Sequence, residues 1–71
     1  MNQLKGKCVR LSQSVWEDGK CRPMLYEATV SEISGTMILF TEMVTYPTEL
    51  NVPDTWINTA SHLFNFMQVL R

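Results

Sequence analysis

An Asp18-Gly19 pair lies between two runs of alternating apolar and polar residues, and this feature constrains the fold most strongly. Asp-Gly is a preferred pair for a two-residue type I′ turn, because both central residues of that turn need positive φ. The runs on either side, residues 7–16 and 24–30, each place most of their apolar side chains on one face. The sequence therefore predicts a β-hairpin that closes at this turn.

The turn also fixes the register of the hairpin, with Glu17 opposite Lys20. In that register the apolar faces of the two strands coincide, whereas a slip of one residue would separate them. On the other face Arg10 lies opposite Glu27 as a pair of opposite charges. The predicted partners on the apolar face are Leu11 with Tyr26, Val9 with Ala28, and Gln13 with Met24.

The same register keeps the two cysteines apart. Cys21 lies opposite Trp16, and Cys8 is roughly 26 Å away along the first strand at about 3.3 Å per residue. Cys8, Cys21 and His62 are the soft metal ligands of the chain, and they lack the paired spacing of a structural zinc site. We therefore predict free thiols, no metal and no cofactor.

Residues 36–46 predict a third strand with apolar residues on both faces, so another part of the chain or a partner must cover it. In residues 56–70 the apolar side chains recur mainly at helical spacing, with Asp54 as the N-cap and Phe66 and Val69 outside the stripe. These patterns predict an α+β fold in a single domain over residues 1–71: a three-stranded antiparallel β-meander with one C-terminal helix.

An all-β alternative stays open, because Thr, Asn, Ser, His and Phe are middling helix formers. In that alternative a short helical turn at residues 54–59 precedes a final strand at residues 64–70. The architecture would then be a small SH3-like barrel.

Composition narrows the possible functions. The 71 residues have a formal net charge of −1, and the longest apolar run, residues 37–40, is far short of the roughly 20 residues of a membrane span. No export signal is visible at the start, so we expect a cytoplasmic protein without membrane contact. No phosphate-binding loop or nucleophile elbow occurs, and the chain is small for a deep pocket, so we expect no enzyme and no catalytic residues.

The distribution of charge along the chain indicates what kind of partner the protein binds. Five of the six Lys and Arg residues precede Pro23, and residues 55–70 contain no Asp, Glu, Lys or Arg. An uncharged polar face is typical of a covered surface, which favours a protein partner. The two-faced third strand and this uncharged segment also predict a homodimer.

We therefore expect a small non-enzymatic protein-interaction domain, an adaptor or inhibitor that docks on a larger macromolecule. Domains this small are typical of phages and mobile elements. The alternative is a single-stranded nucleic-acid-binding protein that uses the basic N-terminal hairpin. The candidate partner-binding residues are Trp16, Arg10, Lys20, Tyr46, Asn58, Ser61, His62 and Asn65.

Overall fold

The computed structural model describes residues 3–70, and within them it contains six β-strands and no helix. All pairings are antiparallel, and the strand order is β4-β3-β2-β1-β6, with β5 paired to β3 beside β4. The strands are β1 (Cys8–Glu17), β2 (Lys20–Ser34), β3 (Met37–Tyr46), β4 (Asn51–Val52), β5 (Thr55–Asn58) and β6 (Phe64–Val69).

The predicted hairpin is confirmed in every pair. Asp18 and Gly19 have φ of 53° and 74°, as the type I′ turn requires, and Glu17 lies opposite Lys20. The apolar pairs and the Arg10–Glu27 pair are those that the sequence predicts. Local turn chemistry and the period-two pattern agree here, and together they determine the register.

The predicted α+β class is wrong, because the C-terminal segment forms β5, a turn and β6 instead of a helix. Its side chains bind the backbone locally: the Asn58 Oδ1 accepts from the Ala60 N–H, and the Ser61 Oγ accepts from the Leu63 N–H. Such bonds compete with the helical ladder. The structure fits the all-β alternative, including its last strand, although β5 replaces the helical turn expected at residues 54–59.

The third strand is confirmed, but it does not alternate regularly. Glu27 pairs with Val44 and Thr29 with Thr41, so β3 has one residue more than β2 between these pairs. Glu42 is in this bulge with a φ of 51°. The bulge moves Met43 to the buried side, whereas strict alternation predicts that Met43 and Phe40 lie on opposite faces.

The core lies on one face of the sheet. Phe40, Leu11 and Val9 are fully buried, and the rest of the core comes from β2, β3 and β5. Partly buried side chains complete the packing, among them Phe64 and Met67 of β6. β6 therefore contributes one of its faces to the core, and its other face points outward.

The tip of the hairpin extends beyond the rest of the sheet. β3 begins to pair with β2 only at Leu25, so residues 20–24 pair with β1 alone. The molecule measures 40 × 25 × 19 Å, which reflects this extension. In the part of the chain that the structure describes, no helix is long and apolar enough to cross a membrane.

Candidate protein-interaction surface

The face of the β3–β2–β1–β6 sheet that points away from the core contains a row of large side chains. Phe66 of β6 lies opposite Ser12 of β1, Ser12 opposite Leu25 of β2, and Leu25 opposite Tyr46 of β3. We call this side of the sheet the outer face. Tyr46 and Phe66 are 42% and 47% exposed, so two aromatic rings separated by two strands remain open to solvent.

Trp16 lies on the same face, further along β1. The β1–β2 pairing is regular from Cys8 to Glu17, so Ser12 and Trp16, four residues apart, point to the same side. Trp16 is 67% exposed, which is the largest exposed fraction among the large hydrophobic residues of the described chain. Its cross-strand neighbour, Cys21, is also exposed.

The polar groups beside this row are largely paired with one another. The Arg10 guanidinium lies 4.7 Å from the centre of the Tyr46 ring and donates to the Glu27 carboxylate at 2.8 Å. The hydrogen bond from Arg10 to Glu27 raises the pKa of Arg10 above its ordinary value; desolvation opposes that shift, and the negative charge of Glu27 reinforces it. Arg10 thus remains a cation, with its charge already compensated by Glu27.

Asn65 determines how β6 meets this surface. Its Nδ2 donates to the Ser12 Oγ at 3.1 Å and to the Ser14 Oγ at 3.2 Å. Phe66 pairs with Ser12 and Phe64 with Gln13, so Asn65 is the extra residue of a bulge. The bulge sends Phe64 toward the core and leaves Phe66 on the outer face, although the two phenylalanines are only two residues apart.

The structure brings four of the eight predicted site residues to this region: Arg10, Trp16, Tyr46 and Asn65. Lys20 is near the hairpin tip, but strand alternation places it on the side opposite Trp16. The remaining three predicted residues lie outside strands β1, β2, β3 and β6, which form the outer face. Asn58 accepts from the Thr36 hydroxyl at the far end of β3, and Ser61 and His62 belong to the turn between β5 and β6.

Sequence reasoning missed Phe66 and Leu25 as members of this surface. Phe66 and Val69 are the residues that fall outside the helical stripe of the C-terminal segment, and that misfit was the available signal. In the structure both are 47% exposed on the edge strand β6. Leu25 lies on the polar side of an alternating strand, which itself indicates a partly apolar outer face.

The basic residues of the hairpin region are mostly neutralised. Among the described residues, Lys5 forms an ion pair with Glu32 at 3.2 Å and Arg22 with Glu17 at 2.6 Å, in addition to the Arg10–Glu27 pair. Lys7 and Lys20 take part in no ion pair within residues 3–70. The exposed pairs contribute little stability, but they reduce the positive potential that a phosphate backbone would meet.

No disulfide joins the two cysteines, as predicted: Cys8 is half-buried and Cys21 is exposed. Residues 3–70 contain no cluster of three or more His, Cys, Asp or Glu side chains that could hold a metal ion. They also form no pocket. The described outer face contains exposed aromatic rings, an aliphatic side chain and one internal ion pair.

A second exposed tryptophan lies on the same side of the sheet, at the other end of β3. Trp56 of β5 pairs with Leu39, near the end of β3 opposite to Tyr46, and is 47% exposed. It provides an internal comparison for the row formed by Phe66, Leu25 and Tyr46. No family model, curated protein or solved structure matches this chain.

Proposed function

We propose that this chain is a small non-enzymatic protein-interaction domain, an adaptor or inhibitor that docks on a larger protein through the outer face. The observation that carries the proposal is the convergence of Trp16, Tyr46 and Phe66 on that face, each at least 42% exposed. Tryptophan and tyrosine are enriched among the residues that dominate binding energy at protein interfaces. The proposal includes a cytoplasmic location, a phage or mobile-element origin and a homodimeric state.

The chemistry of the face favours an apolar protein surface as the partner. Arg10 and Glu27 neutralise each other next to the aromatic row. The next charged group along the face is the Glu42 carboxylate, which accepts from the Thr29 hydroxyl and is exposed. Charged residues are depleted at the cores of protein interfaces. The outer face fits this pattern, because a partner with an apolar recess for the rings would meet one ion pair whose charges compensate each other.

Single-stranded nucleic acid is the competing partner, because exposed rings can stack on bases. Such binding also needs cations that follow the backbone. On the outer face the one described cation near the rings is Arg10, and it is already paired with Glu27. Lys20 is on the opposite side of the hairpin, and Lys5 is paired with Glu32. The charge distribution therefore favours the protein partner.

The test begins with capture of partners by the tagged protein from its native lysate, with and without nuclease. Trp16→Ala, Tyr46→Ala and Phe66→Ala should each weaken recovery of a nuclease-resistant protein partner by at least about tenfold, the effect expected of buried interface aromatics. Trp56→Ala is the matched control, because it removes a ring that is 47% exposed, as Phe66 is, from the opposite end of β3. It should change recovery by less than about twofold.

A second experiment separates the two partner classes. Replacing Lys5, Lys7 and Lys20 together by Gln should leave protein-partner affinity within about tenfold, because exposed charges affect encounter rates more than final affinity. Titration of single-stranded oligonucleotides at several salt concentrations runs in parallel. Tight oligonucleotide binding that this triple variant abolishes, with a salt slope that flattens by roughly 0.7 per lost phosphate contact, would refute the protein-docking proposal.

A further inference from the structure

The two edges of the sheet differ in how well they are protected against pairing with another strand. At one edge β4 and β5 are short and separated by Pro53, which has no N–H donor, and Asp54, which is charged. Proline, charge and short strands are the usual protection of exposed edges. At the other edge β6 pairs with β1 alone among the described strands, and residues 64–70 contain no proline and no charged side chain.

The hydrogen-bond pattern shows which backbone groups of β6 point outward. The Leu70 N–H donates to the Cys8 carbonyl at 2.8 Å, so Leu70 faces β1. In an antiparallel pair the facing residues alternate, which places Phe66 and Gln68 toward β1 as well. The N–H and C=O groups of Met67 and Val69 therefore point away from β1, and no described strand pairs with them.

The side chains of the same stretch remain uncovered on both faces of the sheet. Phe66 and Leu70 lie on the outer face, 47% and 36% exposed. Val69 pairs with Val9 and points to the core side, yet it is also 47% exposed. Apolar side chains beside unpaired backbone groups are the feature that an added strand would cover. The bulge at Asn65 limits the regular edge to residues 66–70.

We propose that β6 is the self-association site of this protein and pairs antiparallel with β6 of a second copy, with Gln68 on the two-fold axis. In this register Met67 faces Val69 of the other copy, and Phe66 faces Leu70 of the other copy. The two outward residues of each copy then form four N–H···O=C bonds. The inference rests on the homodimeric part of the proposed function and specifies its interface.

The geometry selects a second copy as the occupant for two reasons. Gln68 is the central residue of the regular stretch 66–70, so the two-fold register uses the whole edge and leaves no outward backbone group of Met67 or Val69 unpaired. The stretch also carries no charge, so a strand that meets itself brings no like charges together. The pairing extends the outer face of one copy into that of the other, because both strands present Phe66 on that side.

Gln68 gives the sharpest test, because a residue on a two-fold axis faces its own copy. Sedimentation velocity from about 1 µM to about 1 mM should show the 8.2 kDa chain in equilibrium with a dimer. Gln68→Glu and Gln68→Lys should each weaken the dimer about fivefold or more at low salt, since like charges then lie directly opposite. An equimolar mixture of the two variants should restore dimerisation as a mixed dimer.

Val69→Pro tests the backbone bonds directly. The Val69 N–H points outward, so proline at this edge position removes no bond to β1. The change deletes two of the four intermolecular bonds, and the dimer should weaken about thirtyfold. Asn51→Glu, on the exposed β4 at the other edge, is the control and should leave the dimer unchanged. Circular dichroism checks that each variant keeps its sheet.

Each outcome is decisive for the interface. A chain that stays monomeric up to about 1 mM overturns both the interface and the homodimer. A dimer that neither the Gln68 variants nor Val69→Pro weakens overturns the β6 interface alone. If the chain does not self-associate but captures a partner, and Val69→Pro abolishes that capture, then a strand of another protein binds β6. This result too overturns the inference. Loss of partner with Trp16→Ala tests the outer-face proposal separately.

Discussion

Asn65→Ala is the change that best tests how β6 is placed. The Asn65 Nδ2 donates to the hydroxyls of Ser12 and Ser14, and Ser12 is only 5% exposed. The bulge at Asn65 divides Phe64 and Phe66 between the core and the outer face. If the two side-chain bonds stabilise this arrangement, their removal lowers the free energy of unfolding without changing which phenylalanine is buried.

The expected loss of stability, and the fate of the bulge, follow from comparing the hydrogen bonds of Asn65 with the burial of Phe64. A hydrogen bond contributes about 0.5–1.5 kcal/mol net, and the bond to buried Ser12 contributes more than the bond to exposed Ser14, so the loss is about 1–2 kcal/mol. A regular strand without the bulge would turn Phe64 outward and forfeit the burial of an aromatic side chain, about 1.5–3 kcal/mol for full burial. Phe64 is partly buried, so the bulge retains part of this burial after the amide is lost, and it should persist in the variant.

Urea unfolding followed by tryptophan fluorescence measures the effect. With a denaturant slope near 1 kcal/mol/M for a small domain, the midpoint should fall by about 1–2 M. Asn65→Asp is the matched control, because its carboxylate accepts from both serine hydroxyls, and it should stay within about 0.5 kcal/mol of the original chain. A midpoint unchanged by Asn65→Ala, or lowered equally by both substitutions, would refute the assigned role of the amide.

Three further predictions concern the core, the turn and pH. Because Phe40 is fully buried, Phe40→Ala should lower the free energy of unfolding measured in urea by about 3–5 kcal/mol. That is a large part of the roughly 4–11 kcal/mol expected for a domain of 71 residues. A loss below about 1 kcal/mol would contradict the central place of Phe40 in the core. Gly19→Val should lower the free energy of unfolding by about 1–2 kcal/mol, and Gly19→Asn should lower it clearly less, because residue 19 has a φ of 74°. A Cβ atom there would meet no neighbouring atom within 4 Å, so the loss comes from backbone strain. Equal losses for the two variants would point to another cause. Burial raises the pKa of the Tyr26 phenol, so with rising pH the unfolded chain loses this proton before the folded chain does. Tyr26 should therefore make its full contribution to the free energy of unfolding below about pH 10, and the free energy of unfolding should decrease above that pH. Tyr26→Phe should reduce this decrease.

The hairpin was predictable because its information is local. The turn residues, the alternation and the Arg10–Glu27 pair all lie within about twenty positions, and each independently specifies the same register. No long-range contact was needed to choose between registers. The same locality explains why the absence of a disulfide could be inferred, since the position of Cys21 opposite Trp16 follows from the turn alone.

The C-terminal segment was mispredicted because its apolar spacing fits two structures. Residues 56, 57, 60, 63, 64 and 67 lie along one helical stripe, yet in the structure Trp56 and Ile57 point to opposite sides of β5. Helical spacing of apolar residues does not require a helix, because paired strands can also bury or expose the same apolar side chains. What decided the outcome was the availability of open edges on β1 and β3, which is not encoded within the segment itself.

The outer face could not be assembled from the sequence, because it depends on pairing across the whole chain. Asn65 and Ser12 are 53 residues apart, and their bond holds β6 against β1 at the bulge. Without that bulge Phe64 and Phe66, two positions apart, would share one side of the strand. With it, one ring packs toward the core and the other stays exposed in line with Tyr46. The bulge thus couples the stability of the domain to the composition of its candidate binding surface, so a change that removed it would expose Phe64 and alter both together.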